Sequence, residues 1–344
     1  MDQPPVDNPT ELVAHPQLIV DKDGERLVTI VKATFLREPD GTIELAPRRW
    51  QRKIRFADIP WGEPEKSSIL YPADICLRKP GTDVIVVARA HAPGGKPVPT
   101  FDAAVRVGPL QKIVRVFGLR VWAADGTGLS PPRPVAEVEM RYDNAWGGVD
   151  DSDPAAFLEE PRNPVGTGIT RDHSSLRHQP APCLEDPSDP ILTSRTRPAP
   201  AGMGAIGRHW EPRRRHAGTF DARWLEDRAP LPPLDQDDRH HLSATPDLIA
   251  TPPLRGGEDV ALLNLEPGGG TSSFLLPRLT VEIQFRIKDR AVEVIRPYLD
   301  TVLIDTLANP RKEDRPLTIE YVYRASVKAP RRLADASVRV REIA

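Results

Sequence analysis

The sequence predicts a mainly β protein, an antiparallel two-sheet, sandwich-like scaffold with long proline-rich ordered loops and a few short helices. Three observations carry that expectation. Alternating or continuous apolar runs, bounded by Gly, Pro and Asp turns, occupy both ends of the chain. Between them, residues 131–277 hold 21 of the 39 prolines, too many for a long helix or a central strand to run through. Aromatic residues recur in the same segment (Trp146, Phe157, Trp210, Phe220, Trp224), and disordered tracts usually lack them. The segment therefore reads as loops anchored by buried rings, a surface for contact rather than a cleft for chemistry.

The first strand is expected at residues 27–36, β-branched and preceded by the hairpin-type turn Asp23-Gly24. A second turn, Pro39-Asp40-Gly41, leads into residues 42–45 and completes an N-terminal hairpin. Residues 83–90 form a continuous apolar run, the pattern of a strand buried on both faces. Residues 104–108 and 112–118, joined at Gly108-Pro109-Leu110, extend a meander. Beyond the proline-rich middle, residues 260–265, a Gly268-Gly269-Gly270 turn, and residues 279–288, 291–296, 301–305 and 317–325 read as further strands, with 279–288 alternating most cleanly. Short helices are expected at 153–158, at 220–228 with Thr219 as a possible N-cap, and at 330–336. The resulting division places N-terminal strands in 10–125, proline-rich loops in 126–258, and C-terminal strands, packed in the same domain, in 259–344.

Composition narrows the function classes. The chain has 344 residues, long enough for a substantial core, yet apolar residues make up 39% and aromatic ones 6%, so an aliphatic core under a highly charged surface is expected. With 47 basic and 49 acidic residues interspersed, no global field favours nucleic acid or an anionic membrane. The densest basic run, Arg213-Arg214-Arg215, reads as a solvated face or a partner for local carboxylates. Cys76 and Cys183 are too few for a disulfide framework, and no stretch matches a secretory leader or the roughly 20 apolar residues of a bilayer span. A cytoplasmic setting is expected.

No motif for chemistry emerges. His240-His241 is an adjacent pair whose side chains diverge, and His173 and His178 are separated by a loop. Asp150-Asp151-Ser152-Asp153 resembles the start of a calcium loop but lacks the glycine at the sixth position and the closing glutamate, leaving an acidic turn or helix start. Ser174-Ser175 beside Asp172-His173 is proximity in sequence only, and the glycine clusters lack the lysine and helix of a phosphate loop. The expectation is therefore no catalytic residue, no metal, no cofactor and no small-molecule substrate.

Seven strings are more specific. They are Arg78-Lys79-Pro80-Gly81-Thr82-Asp83-Val84; Val107-Gly108-Pro109-Leu110-Gln111-Lys112 with Val116-Phe117-Gly118-Leu119-Arg120-Val121-Trp122; Asn144-Ala145-Trp146-Gly147-Gly148; Arg162-Asn163-Pro164-Val165-Gly166-Thr167-Gly168; Leu184-Glu185-Asp186-Pro187; Pro198-Ala199-Pro200-Ala201-Gly202; and Ala217-Gly218-Thr219-Phe220-Asp221-Ala222-Arg223-Trp224. In order and spacing, over about residues 10–290, they resemble the bacterial family catalogued as domain of unknown function 2169. The chain departs from the family pattern at Ala88-Arg89, Leu119 and Trp146. Members of that family lie beside type VI secretion genes. The resemblance implies a non-catalytic adaptor or chaperone that brings an effector toxin to the spike (valine-glycine repeat) protein. A structural part of the secretion apparatus and a hydrolase are the rival classes; the latter would need Asp172, His173 and Glu185 around one cavity. Lys79, Asp83, Arg120, Trp146, Arg162, Asn163, Trp210, Asp221 and Trp224 are the candidate partner-binding or loop-bracing residues.

Overall fold

The computed structural model describes residues 3–38, 40–124, 128–308 and 317–343. Pro39 of the second expected turn and the expected boundary at 125–126 lie outside the described residues.

Eleven longer strands build the scaffold: β1 (Val13–Asp21), β2 (Gly24–Arg37), β3 (Thr82–Val87), β4 (Thr100–Val107), β5 (Leu110–Phe117), β6 (Asp259–Leu263), β7 (Thr271–Leu275), β8 (Thr280–Ile287), β9 (Leu299–Asp305), β10 (Thr318–Lys328) and β11 (Ala336–Ile343). The mainly β expectation holds. The largest sheet has seven strands, running Ile249–Ala250, β3, β9, β10, β2, β1, with Ile43–Leu45 also on β2. A second sheet places Leu184–Glu185, β5, β4, β6 and β7 side by side; a third, beyond the expected pair, joins Val6–Asp7, β11, β8 and Glu293–Ile295.

Most pairings are antiparallel, but β3 lies parallel to β9, with Val84 opposite Val302. That departure follows from composition: every residue of β3 is buried, as its unbroken apolar run requires, and it sits inside the sheet. One contiguous core draws on all three sheets, through Val31, Phe35 and Tyr321 from the first, Val105, Val114 and Leu262 from the second, and Ile283, Phe285 and Val338 from the third. Buried tyrosines satisfy their hydroxyls on loop carbonyls: Tyr321 donates to Pro277 O at 2.9 Å and Tyr323 to Leu279 O at 3.0 Å.

Several local expectations are corrected. β1, β7 and β11 carry no strand reading in the sequence. β8 puts Val281, Ile283, Phe285 and Ile287 into the core, but Glu282 and Gln284 on its other face are nearly as buried. Gln284 Nε2 donates to Glu282 Oε1 at 2.9 Å, and Arg296 approaches the same carboxylate at 3.3 Å. The expected helices at 153–158 and 330–336 shrink to single 3₁₀ turns, Pro154–Ala156 and Leu333–Asp335. α1 (Ala222–Asp227) is capped by Asp221, whose carboxylate accepts from Trp224 N at 2.8 Å. Thr219 is no cap; its hydroxyl bonds Asp235 at 2.7 Å instead.

Charge does not stay on the surface. On the face of the seven-stranded sheet opposite the main core, Lys32 is 0% exposed and bonds Asp74 and Glu320, each at 2.8 Å. Arg55 forks onto Glu320 at 2.6 and 2.7 Å and lies over the Tyr71 ring, whose hydroxyl donates to Asp305 at 2.7 Å. Arg324 pairs with Asp300 and donates to Asp74 O. Segments before and after residue 60 are thus held to the sheet by ion pairs sealed from water.

Candidate functional site

The proline-rich middle is ordered through named contacts, and two of the family-like strings, 144–148 and 162–168, meet at one place. Trp146–Gly147 runs parallel to Thr167–Gly168, with Trp146 opposite Thr167. At the centre sits Asn163, fully buried, its Nδ2 donating to Tyr142 O at 2.9 Å and Trp146 O at 3.0 Å. Backbone bonds tighten the same knot: Gly148 N to Asn163 O at 2.8 Å and Ile169 N to Gly147 O at 3.1 Å. Gly147 adopts φ +150°, and a Cβ there would overlap the Asn163 carbonyl oxygen. Gly166 is pressed between Asn163 and Ala145 O, so a side chain at either glycine would open the knot.

The aromatic anchors divide. Trp146 is buried, with the Arg162 guanidinium 5.7 Å from its ring centre; Trp210 is 8% exposed and meets Tyr142 edge-on at 5.8 Å. Trp224 is half-buried and donates its indole N–H to Leu231 O at 2.9 Å. Phe157 and Phe220, expected as buried rings, are instead 57% and 58% exposed. Loop ends there are fixed by polar caps, Asp153 on Ala155 N and Asp221 on Trp224 N, so the rings are not needed as anchors.

The remaining predicted residues bind the chain to itself. Lys79 Nζ bonds Asp83 at 2.7 Å and Thr301 Oγ1 at 2.8 Å, and Asp83 also accepts from Ser243 N and Oγ, tying the 243 loop to β3 and β9. Arg120 stacks 3.9 Å over Phe117 and pairs with Glu185 and Pro182 O. Arg162 forks onto Glu160 and reaches Pro198 O at 3.0 Å. In the basic run, Arg215 pairs with Glu211 at 2.6 Å and Arg214 approaches Glu159 at 3.9 Å. Arg213 is buried on the carbonyls of His240 and Ile206, and burial pulls its pKa down to about 10.

A groove of about 760 Å³ opens above the knot. One wall is the hairpin loop between Ile59–Pro60 and Ile69–Tyr71; the other is Gly148-Val149, Pro164-Val165-Gly166 and Gly207 to Trp210. Its walls are apolar at Ile69, Val149, Val165 and Trp210, and its rim carries Lys66, Glu159 and Arg208. Val149 is 46% exposed, so apolar surface is presented to solvent within a fixed backbone frame. The volume falls in the roughly 300–1,000 Å³ range of ligand sites.

The residues named for the hydrolase class do not gather around this groove or any one cavity described. Glu185 is paired with Arg120, Asp172 accepts from Ser174 N at 2.9 Å, and His173 lines a smaller pocket elsewhere. Burial drives His241 down to about 3, and its ring lies 5.9 Å from that of His240. No group of three metal-ligating side chains occurs among the described residues, and no helix among them is long and apolar enough to cross a membrane. Sequence reasoning missed the buried ion layer and the loop at 60–68, whose part in the groove has no periodic signal.

A family model described as an uncharacterized protein conserved in bacteria (DUF2169) matches residues 22–312, and the chain belongs to that family. Comparison with curated proteins and with solved structures returned no match.

Proposed function

Taking that membership as the premise, we propose that the chain is a non-catalytic adaptor in the bacterial cytoplasm. It binds a type VI secretion effector and helps load it onto the valine-glycine repeat spike protein. The observation that carries the reading is the groove: a preorganised frame, with one large aromatic wall at Trp210, exposed apolar positions and a charged rim. Ordering a binding loop at the moment of contact costs affinity, and the Asn163 knot has already fixed this one. Aromatic anchors surrounded by a polar rim are the usual arrangement of reversible protein contacts. The resemblance of the seven strings to the family supplies the secretion context.

The test is affinity purification of the tagged full-length chain from cells that also express the toxin encoded beside it and the spike protein. Co-purification of the toxin and of the spike protein with the tagged chain is expected. Recovery of neither partner would sink the proposal.

A further inference from the structure

Beside the glycine knot and outside the groove lies a pocket of about 200 Å³, two of whose lining residues carry a buried, unsatisfied polar atom. Thr170, His173, Ser194, Arg195 and Arg197 line it. Ser194 is only 5% exposed, yet its hydroxyl has no hydrogen-bond partner, and His173 Nδ1 is likewise buried without one. A buried polar atom left unpaired is costly and uncommon, and here two belong to residues that line the same pocket without bonding each other.

The charges around the pocket are unequally committed. Asp150, facing Thr170 Oγ1 at 3.4 Å, is already engaged by Ser152 Oγ at 2.6 Å and Arg171 N at 2.9 Å. Asp172 accepts from Ser174 N. Arg195 and Arg197 are exposed and form no ion pair among the described residues. Two arginines without ion pairs, a serine with an unpaired buried hydroxyl and a histidine with an unpaired ring nitrogen therefore line one pocket.

We propose that this pocket binds a phosphoryl group. At about 200 Å³ it is smaller than the sites that enclose whole drug-sized ligands, so it takes a group rather than a cofactor. A phosphate carries about −1.5 to −2 charge and three strong acceptor oxygens at neutral pH, matching two guanidinium forks and the Ser194 hydroxyl. A carboxylate carries half that charge and leaves one donor unmet. The assignment is independent of the adaptor reading.

Titration calorimetry of the full-length protein with inorganic phosphate tests it, alongside phenyl phosphate and acetate. Saturable phosphate binding is expected, with acetate at least about tenfold weaker. Arg195→Gln with Arg197→Gln should weaken binding about a hundredfold, and Ser194→Ala about tenfold. Because both arginines are exposed, the double variant should melt at the wild-type temperature in phosphate-free buffer and lose only the phosphate-induced rise in Tm. Tighter binding of phenyl phosphate than of phosphate would assign a monoester, and the reverse order the free ion; both support the site. Equal affinity of the wild type and the double variant, equal affinity for acetate, or the absence of saturable phosphate heat would overturn it.

Discussion

Two regions fasten long loops to this scaffold by opposite means. Over the seven-stranded sheet the fastening is ionic: Lys32 between Asp74 and Glu320, Arg55 on Glu320, Arg324 on Asp300, all withdrawn from water. Beneath the groove it is neutral: one amide, two carbonyls and glycines that let backbones touch. Each ion in the first region has meaning only while its partners stay charged. In the second, geometry alone sets the strength. The groove thus has one wall on each kind of fastening: the 60–68 loop hangs from the ionic layer, and the wall at 148–166 rests on the knot that is indifferent to protonation.

The largest expected effect breaks the ionic side. Lys32→Met leaves Glu320 and Asp74 with an uncompensated negative charge and should cost roughly 3–5 kcal/mol in urea unfolding. Adding Glu320→Leu should recover much of that loss; if the double variant is no more stable than the single, the layer is not held by mutual charge. Acid should act in the same direction. Burial opposes ionisation of Glu320, but Lys32 and Arg55 outweigh it and hold its pKa at about 2, below the ordinary value of 4.5. Its stabilisation, up to roughly 3 kcal/mol, is complete above that ordinary value and fades as pH falls towards 2. The gap between wild type and Glu320→Gln should accordingly close between pH 7 and pH 2.

The neutral side should behave otherwise. Asn163→Ala and Gly147→Ala should each cost about 1–3 kcal/mol, the first by orphaning two carbonyls and the second by overpacking, with no change in that cost across the same pH range. A cost that vanished in acid would erase the distinction between the regions. The smallest effect on stability is expected for Val149→Arg at the exposed groove wall, within about 0.5 kcal/mol by thermal melting. The same substitution should abolish co-purification of the toxin, separating recognition from folding.

Strand content was legible where apolar residues alternate or run unbroken, as in β2, β3, β8 and β10. β1 escaped because Pro16 and polar residues interrupt it at a sheet edge, where proline is tolerated. The ion layer escaped for a different reason. Lys32, Glu320 and Arg324 occupy the polar positions of alternating strands, a pattern that reads identically whether the polar face meets water or a covering loop. The strings at 144–148 and 162–168 pointed to the knot, since clustered glycines beside Trp146 and Asn163 imply close backbone approach. The phosphoryl pocket gave no such sign, because Thr170, His173, Ser194 and the two arginines come from separate irregular loops whose meeting has no period.

The strand order has a kinetic meaning. β9 and β10 lie between β3 and β2, so the centre of the largest sheet is synthesised after both of its flanks. A growing chain must keep the two halves apart, with open edges, until residue 328 has left the ribosome. Closing them requires contacts some 300 residues apart, such as Arg26 with Ser326, the kind that make folding slow. Assembly of the centre of this sheet consequently awaits its late-synthesised strands, and the nascent chain before then is the species most in need of protection from aggregation.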